Sequence, residues 1–209
     1  MHRHLNRLGL SLLLTFGVVV WNQQQTHSFS QSSSHQPLFF SVAQTLSEAG
    51  FEAEQLLEAV KANNVTAVQA ALTQGISPDA GDIYSGFALS YAAGTGNLEI
   101  MRLLLEHGAT VDITADEGYT PLMEATVNQH MAAVQLLLEA NADPNIVSAG
   151  QTPLAVAVTL NNIELAQLLL AGGADISLPS QGQSVLQIAE AEGNSAMVNL
   201  LRQAEAALK

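Results

Sequence analysis

Gly118-Tyr119-Thr120-Pro121-Leu122-Met123-Glu124-Ala125 returns 32 residues later as Gly150-Gln151-Thr152-Pro153-Leu154-Ala155-Val156-Ala157. A Gly-x-Thr-Pro-Leu-x-x-Ala phrase copied at that interval is an internal repeat, and a chain built in series buries its core between neighbouring copies. Such a chain exposes a long, variable surface, so the phrase points to binding before catalysis. Anchored on the leucine and on the alanine three residues later, the register holds five times: Leu56/Ala59, Leu89/Ala92, Leu122/Ala125, Leu154/Ala157 and Leu186/Ala189, at steps of 33, 33, 32 and 32 residues. Fourteen residues after each leucine stands a second apolar block, the last four being Leu103-Leu104-Leu105, Leu136-Leu137-Leu138, Leu168-Leu169-Leu170 and Leu200-Leu201; the first copy has Ala70-Ala71-Leu72.

Each unit reads as two short helices. Thr120 and Thr152 can accept a free backbone N–H at a helix start, and Pro121 and Pro153 occupy the first helical position, where a missing N–H is harmless. The alanine shares a helical face with the leucine and lets neighbouring helices approach closely. Between the helices a pair recurs in phase: Asn63-Asn64, Gly96-Asn97, Gln129-His130, Asn161-Asn162 and Gly193-Asn194. Asn and Gly tolerate positive φ, so each pair predicts a turn. Gly108, Asn141 and Gly172-Gly173 are placed to end the second helices. Ser77-Pro78-Asp79, Asp143-Pro144-Asn145 and Leu178-Pro179-Ser180 hold turn formers that suit a hairpin projecting from each helix pair.

With these features together the chain resembles the ankyrin-repeat family, whose units of about 33 residues combine a β-turn with two helices and carry a Thr-Pro-Leu-His-x-Ala signature. The resemblance covers residues 48–205 and implies an all-α solenoid of helix-turn-helix units joined by hairpin-like turns. Its five units are bounded at about 48–80, 81–113, 114–146, 147–178 and 179–205, with a tail over 206–209. The signature histidine is replaced by Ser90, Met123, Ala155 and Gln187, which predicts that a hairpin-ordering hydrogen bond of the family is lost or made differently. Copy one lacks the Gly-x-Thr-Pro phrase and copy five has Ser184-Val185 for Thr-Pro, as suits terminal units with one face in water.

The chain has 209 residues and no cysteine, so neither disulfides nor thiolate metal sites can form and stability must come from stacking. Arg3 and Arg7 precede an apolar run from Leu8 to Trp21, followed by a Gln/Ser-rich stretch. This is the layout of a secretory signal peptide over residues 1–30 with a linker over 31–47. Ser28-Phe29-Ser30 and Ser41-Val42-Ala43 offer cleavage sites, and an uncleaved anchor is the alternative. The expected location is the periplasm or the outside of the cell. Beyond the leader, Lys61, Arg102, Arg202 and Lys209 stand against all 19 acidic residues. Nucleic acid and anionic membrane surfaces are repelled, a basic partner surface would be attracted, and an acidic surface also keeps an apolar repeat protein soluble. The chain is expected to be a monomer.

Catalytic constellations are missing from the pattern. His2, His4, His27 and His35 lie in the leader or behind it, His107 sits where a second helix ends, and His130 lies in an interhelical turn. No nucleophile has a base at motif spacing, and no cofactor or metal site is expected. Gly94-Thr95-Gly96 is placed to end a first helix rather than to cradle phosphate. Asp112, Asp116 and Glu117 could gather calcium, giving a competing reading as an ion- or small-molecule-binding protein, but they lack calcium-loop spacing. The favoured reading is a non-enzymatic module that binds a protein, as an accessory or inhibitor of an enzyme in its compartment. The family resemblance implies contacts from hairpin tips and the exposed ends of first helices, along a concave strip. These positions are Ile83, Tyr84, Thr95, Asp116, Glu117, Tyr119, Asn128, Ser148, Gln151, Thr159 and Leu160. Tyr84 and Tyr119 are the candidate anchors, with packing along their own hairpins as the alternative.

Overall fold

A computed structural model describes residues 52–82, 86–114 and 118–207, with Asp82 described by its backbone alone. The expected signal peptide and linker, and the candidate contacts Ile83, Tyr84, Asp116 and Glu117, lie outside the described residues. All described residues belong to one compact unit, Ser47–Lys209.

Ten helices are present among the described residues, paired as the repeat predicts. α1, described over 52–61, pairs with α2 (Val65–Thr73). α3 (Ala88–Thr95) pairs with α4 (Leu98–Glu106), and α5 (Pro121–Val127) with α6 (Met131–Glu139). α7 (Pro153–Thr159) precedes α8 (Ile163–Ala171), and α9 (Val185–Ala191) precedes α10 (Ser195–Ala207). First helices stack in the order α3, α5, α7, α9, and second helices in the order α2, α4, α6, α8, α10. The result is a two-layered all-α solenoid in which a helix touches its own partner and its counterparts in adjacent repeats.

The core follows the register. Leu56, Leu89, Leu122 and Leu154 are buried, as are Ala92, Ala125, Ala157 and Ala189. Within each leucine block the second residue is the fully enclosed one: Leu104, Leu137, Leu169 and Leu201. In the last described repeat Leu186 is only partly buried, and among the described residues no helix packs on the outer side of its helix.

Local geometry bears out the helix starts. Thr120 Oγ1 accepts the Met123 N–H at 3.2 Å, Thr152 Oγ1 accepts that of Ala155 at 3.2 Å, and a proline follows each as the first helical residue. Ser184, at the place of the threonine, makes a reciprocal pair: its Oγ accepts the Gln187 N–H while Gln187 Oε1 accepts the Ser184 N–H. Removing the Thr120 hydroxyl by Thr120→Ala orphans a helix N–H, so a loss of about 1 kcal/mol is expected in urea unfolding. The first residue of each interhelical pair has positive φ: Asn63, Gly96, Gln129, Asn161 and Gly193.

Ser77-Pro78-Asp79, Asp143-Pro144-Asn145 and Leu178-Pro179-Ser180 lead into the hairpins and precede their tips. The hairpin of repeat two pairs β1 (Gly81–Asp82) antiparallel with β2 (Gly86–Phe87), Gly81 facing Phe87 and Asp82 facing Gly86. Later hairpins shrink to single bridges, Ser148 with Gln151 and Ser180 with Gln183. Their tips are Ala149-Gly150 and Gln181-Gly182, all four at positive φ, the combination whose twist suits a two-residue hairpin. The Gln181 N–H donates to Gly150 O at 3.0 Å, tying one tip to the next.

Two ladders of polar contacts cross the repeat boundaries. Beyond the second helices, Asp79 Oδ1 and Oδ2 accept from the Thr110 N–H and hydroxyl at 2.8 and 2.7 Å. One repeat on, the Asp112 carboxylate accepts the Asp143 N–H at 3.2 Å, and Asn145 Oδ1 accepts that of Asp175 at 2.7 Å. In the interhelical turns, Asn97 Nδ2 donates to Asn63 Oδ1 at 3.2 Å and Asn162 Nδ2 to Gln129 Oε1 at 3.1 Å; Asn194 Nδ2 donates to Asn161 Oδ1. The His130 ring joins this series through Nε2 and Gly94 O at 3.0 Å.

Candidate functional site

Positions two residues after the repeat leucine lie on first helices, and positions six residues after it lie at their C-terminal ends. The first series is Glu58, Tyr91, Glu124, Val156 and Ile188; the second includes Thr95, Asn128 and Leu160. Between repeats two and three they enclose a depression of about 400 Å³, lined by Gly86, Ser90, Tyr91, Gly94, Thr95, Glu124 and Asn128. Gly94 supplies the room. It stands where the next two repeats carry Val127 and Thr159, and a Cβ placed on it would lie 3.4 Å from Glu124 Oε2 and 3.7 Å from Asn128 Nδ2. Gly86 closes the hairpin side, where a Cβ would come 3.2 Å from Tyr91 Cε2.

Glu124 is half-buried, and its carboxylate takes no hydrogen bond or ion pair from the described residues. Burial pushes its carboxyl above the ordinary glutamate value. Ionisation is then harder in the folded chain than in the unfolded one, and that penalty on folding disappears as pH falls through the raised value. Glu124→Gln is therefore expected to raise the melting temperature at pH 7 and to give no gain at about pH 3, below the unperturbed glutamate value of about 4.3. Lys61 Nζ stands 5.1 Å from the Tyr91 ring centroid and 3.0 Å from Glu58 Oε1.

Of the contacts expected from sequence, Thr95 and Asn128 are brought together in this depression. Each makes a local bond: the Thr95 hydroxyl donates to Tyr91 O at 3.0 Å, and Asn128 Nδ2 donates to Glu124 O at 2.9 Å. Thr159 and Leu160 lie one repeat further along, Thr159 bonded to Ala155 O at 3.0 Å and Leu160 38% exposed. With Val127, 36% exposed, Leu160 gives that stretch an apolar character. Gln151 and Tyr119 are half-buried. Ser148 departs from expectation: it bridges Gln151 and is 2% exposed, and its Oγ has no partner among the described residues. The surface of that hairpin is made by Ala149 and Gly150 instead.

Sequence reasoning missed Tyr91, Gly94 and Glu124 as neighbours. The available signal was a glycine in one copy where the others carry a larger side chain, followed in the next copy by an acid at a position that is aromatic or apolar in the second, fourth and fifth copies.

Of the residues in the acidic calcium reading, Asp112 accepts the Asp143 N–H in the boundary ladder, and Asp116 and Glu117 lie outside the described residues. Burial, the largest influence, raises the Asp112 pKa; the Asp143 N–H opposes that rise, and the Asp143 charge adds to it. Among the described residues no three His, Asp or Glu side chains gather as metal ligands. His107 Nδ1 bonds Leu103 O at 2.8 Å and closes its helix end. Gly94-Thr95-Gly96 ends α3, with Gly96 in the left-handed conformation at φ 69°. No described helix is long and apolar enough to cross a membrane.

Helix pairs stacked in one dimension, with an open strip beside the hairpins, define a repeat scaffold of the kind that binds other proteins. A family profile described as "Ankyrin repeats (3 copies)" matches residues 56–148, and a second, "Ankyrin repeat", matches 149–180. The chain belongs to the ankyrin-repeat family, whose members serve as protein–protein interaction modules. It is similar to "Ankyrin repeat, SAM and basic leucine zipper domain-containing protein 1" of Carollia perspicillata and of Homo sapiens, each 34% identical over 97 residues, 44% of this chain and 20% of the relative. The corresponding protein of Eulemur macaco macaco is 36% identical over 100 residues, 46% of this chain and 21% of the relative. The chain thus spans about a fifth of the length of these curated relatives, and the likeness concerns the repeats.

Proposed function

We propose that the chain is an exported, non-enzymatic module that holds a partner protein with a basic surface against the hairpin-side face of its first helices. In this reading it acts as an accessory or inhibitor of an enzyme in the periplasm or outside the cell. The observation that carries the binding face is the depression between repeats two and three, where an unpaired, half-buried carboxylate stands beside an aromatic ring. An acidic chain with few cations steers a basic partner toward it. Export rests on the charged, apolar and polar order of residues 1–47.

Photo-reactive residues at Val127 and Leu160, on the proposed face, and at Gln135 and Gln167, exposed on second helices, test the face in extracts of the source cell. Cross-links to one protein from the first two positions and not from the others are expected. Equal cross-linking from all four overturns the assignment. Fusion of residues 1–47 to a phosphatase active only outside the cytoplasm is expected to give activity, and a silent, stable fusion overturns export.

A further inference from the structure

We propose that the depression between repeats two and three receives one arginine side chain of the partner protein, its guanidinium paired with the Glu124 carboxylate and stacked on the Tyr91 ring. The assignment deepens the reading above, since it presupposes a partner on this face. Three observations converge on it. Glu124 offers an acceptor that nothing among the described residues has claimed, in a half-buried setting where a charge-assisted bond gains strength over one in water. Tyr91 already serves as a cation platform within the chain, with Lys61 Nζ 5.1 Å from its centroid. Gly94 leaves open the volume that a side chain fills in the following repeats, directly beside Glu124 Oε2 and Asn128 Nδ2.

These features favour arginine over other occupants. A planar, weakly hydrated guanidinium can stack on a ring while presenting two donors to one carboxylate; a lysine ammonium is a point charge that stays strongly hydrated. Anionic groups are repelled by Glu124, and a bound metal would need further ligands, which the described residues do not gather there. Lys61 is held by Glu58 at 3.0 Å and belongs to repeat one, whereas the lining residues come from repeats two and three.

The test uses the full chain, labelled with nitrogen-15, and three blocked pentapeptides with arginine, lysine or citrulline between alanines. The arginine peptide is expected to shift the amide resonances of Thr95, Glu124 and Asn128 in a saturable way. The citrulline peptide, of equal shape without charge, is expected to bind at least about tenfold more weakly, as is the arginine peptide to Glu124→Gln. Gly94→Val, which installs the side chain of Val127 without a positive-φ penalty, is expected to abolish the shifts while the melting temperature is kept. Equal binding of arginine and citrulline peptides, undiminished binding to Gly94→Val, or shifts spread over the acidic surface would overturn the proposal. A lysine peptide that matches arginine would overturn the choice of guanidinium. If cross-linking finds a partner on this face and the peptides fail, the arginine site falls and the binding face stands.

Discussion

Leu137→Ala is expected to lower the unfolding free energy by about 2–5 kcal/mol, the range for removing a buried leucine side chain and leaving a cavity. Leu137 is fully enclosed at the centre of the second leucine-rich layer, on α6, which packs against α4 on one side and α8 on the other. In a one-dimensional stack each repeat is stabilised by its two neighbours, so a cavity here weakens two interfaces. Leu201 occupies the same phase and is equally enclosed, but among the described residues only α8 lies beside α10 in that layer. Leu201→Ala should therefore cost less. Urea unfolding of the two variants decides the matter; equal losses would mean that burial within a repeat, rather than stacking from both sides, sets the stability.

Gly81→Ala is expected to cost about 1–3 kcal/mol, the scale of a strained backbone conformation, and to disorganise the depression as well. Gly81 has φ 142°, and a Cβ there would stand 2.2 Å from Gly86 O and 2.7 Å from Phe87 Cα. Both obstacles are backbone, so β1 and β2 cannot keep their pairing. Gly86 borders the Tyr91 ring, and separating the strands removes one wall of the arginine site. Gly75→Ala makes the informative comparison: Gly75 also has positive φ, at 88°, but nothing lies within 4 Å of its Cβ position. It should lose only the conformational term and leave peptide binding intact. Thermal melts with the peptide titration separate the two; a Gly81→Ala chain as stable as Gly75→Ala would show that the hairpin yields without cost.

The sequence made the helices legible because each rule acts inside one copy. Thr120 and Thr152 cap the helices they precede, and Asn63, Gly96, Gln129, Asn161 and Gly193 turn the chain where the register placed them. Pro78, Pro144 and Pro179 mark the approach to a hairpin but do not say where it turns, since the tips need positive φ and use Ala149-Gly150 and Gln181-Gly182. Contacts across copies were harder to read. Aligning repeats invites attention to what they share, whereas the depression arises from what two of them do not: a missing side chain at Gly94 and a carboxylate at Glu124. Ser148 shows the reverse error, a polar residue at an exposed phase that bridges Gln151 and is buried.

In the ladder beyond the second helices, the acceptors Asp79, Asp112 and Asn145 are side chains, but what each receives from the next repeat is a backbone N–H, on Thr110, Asp143 and Asp175. Every residue except proline carries that donor. At these three steps the fastening draws on the donor's backbone rather than on its side chain, with the Thr110 hydroxyl added at the first. Mutations can accumulate on the recognition strip and be sorted by what they bind, while the register of the stack is inherited unchanged.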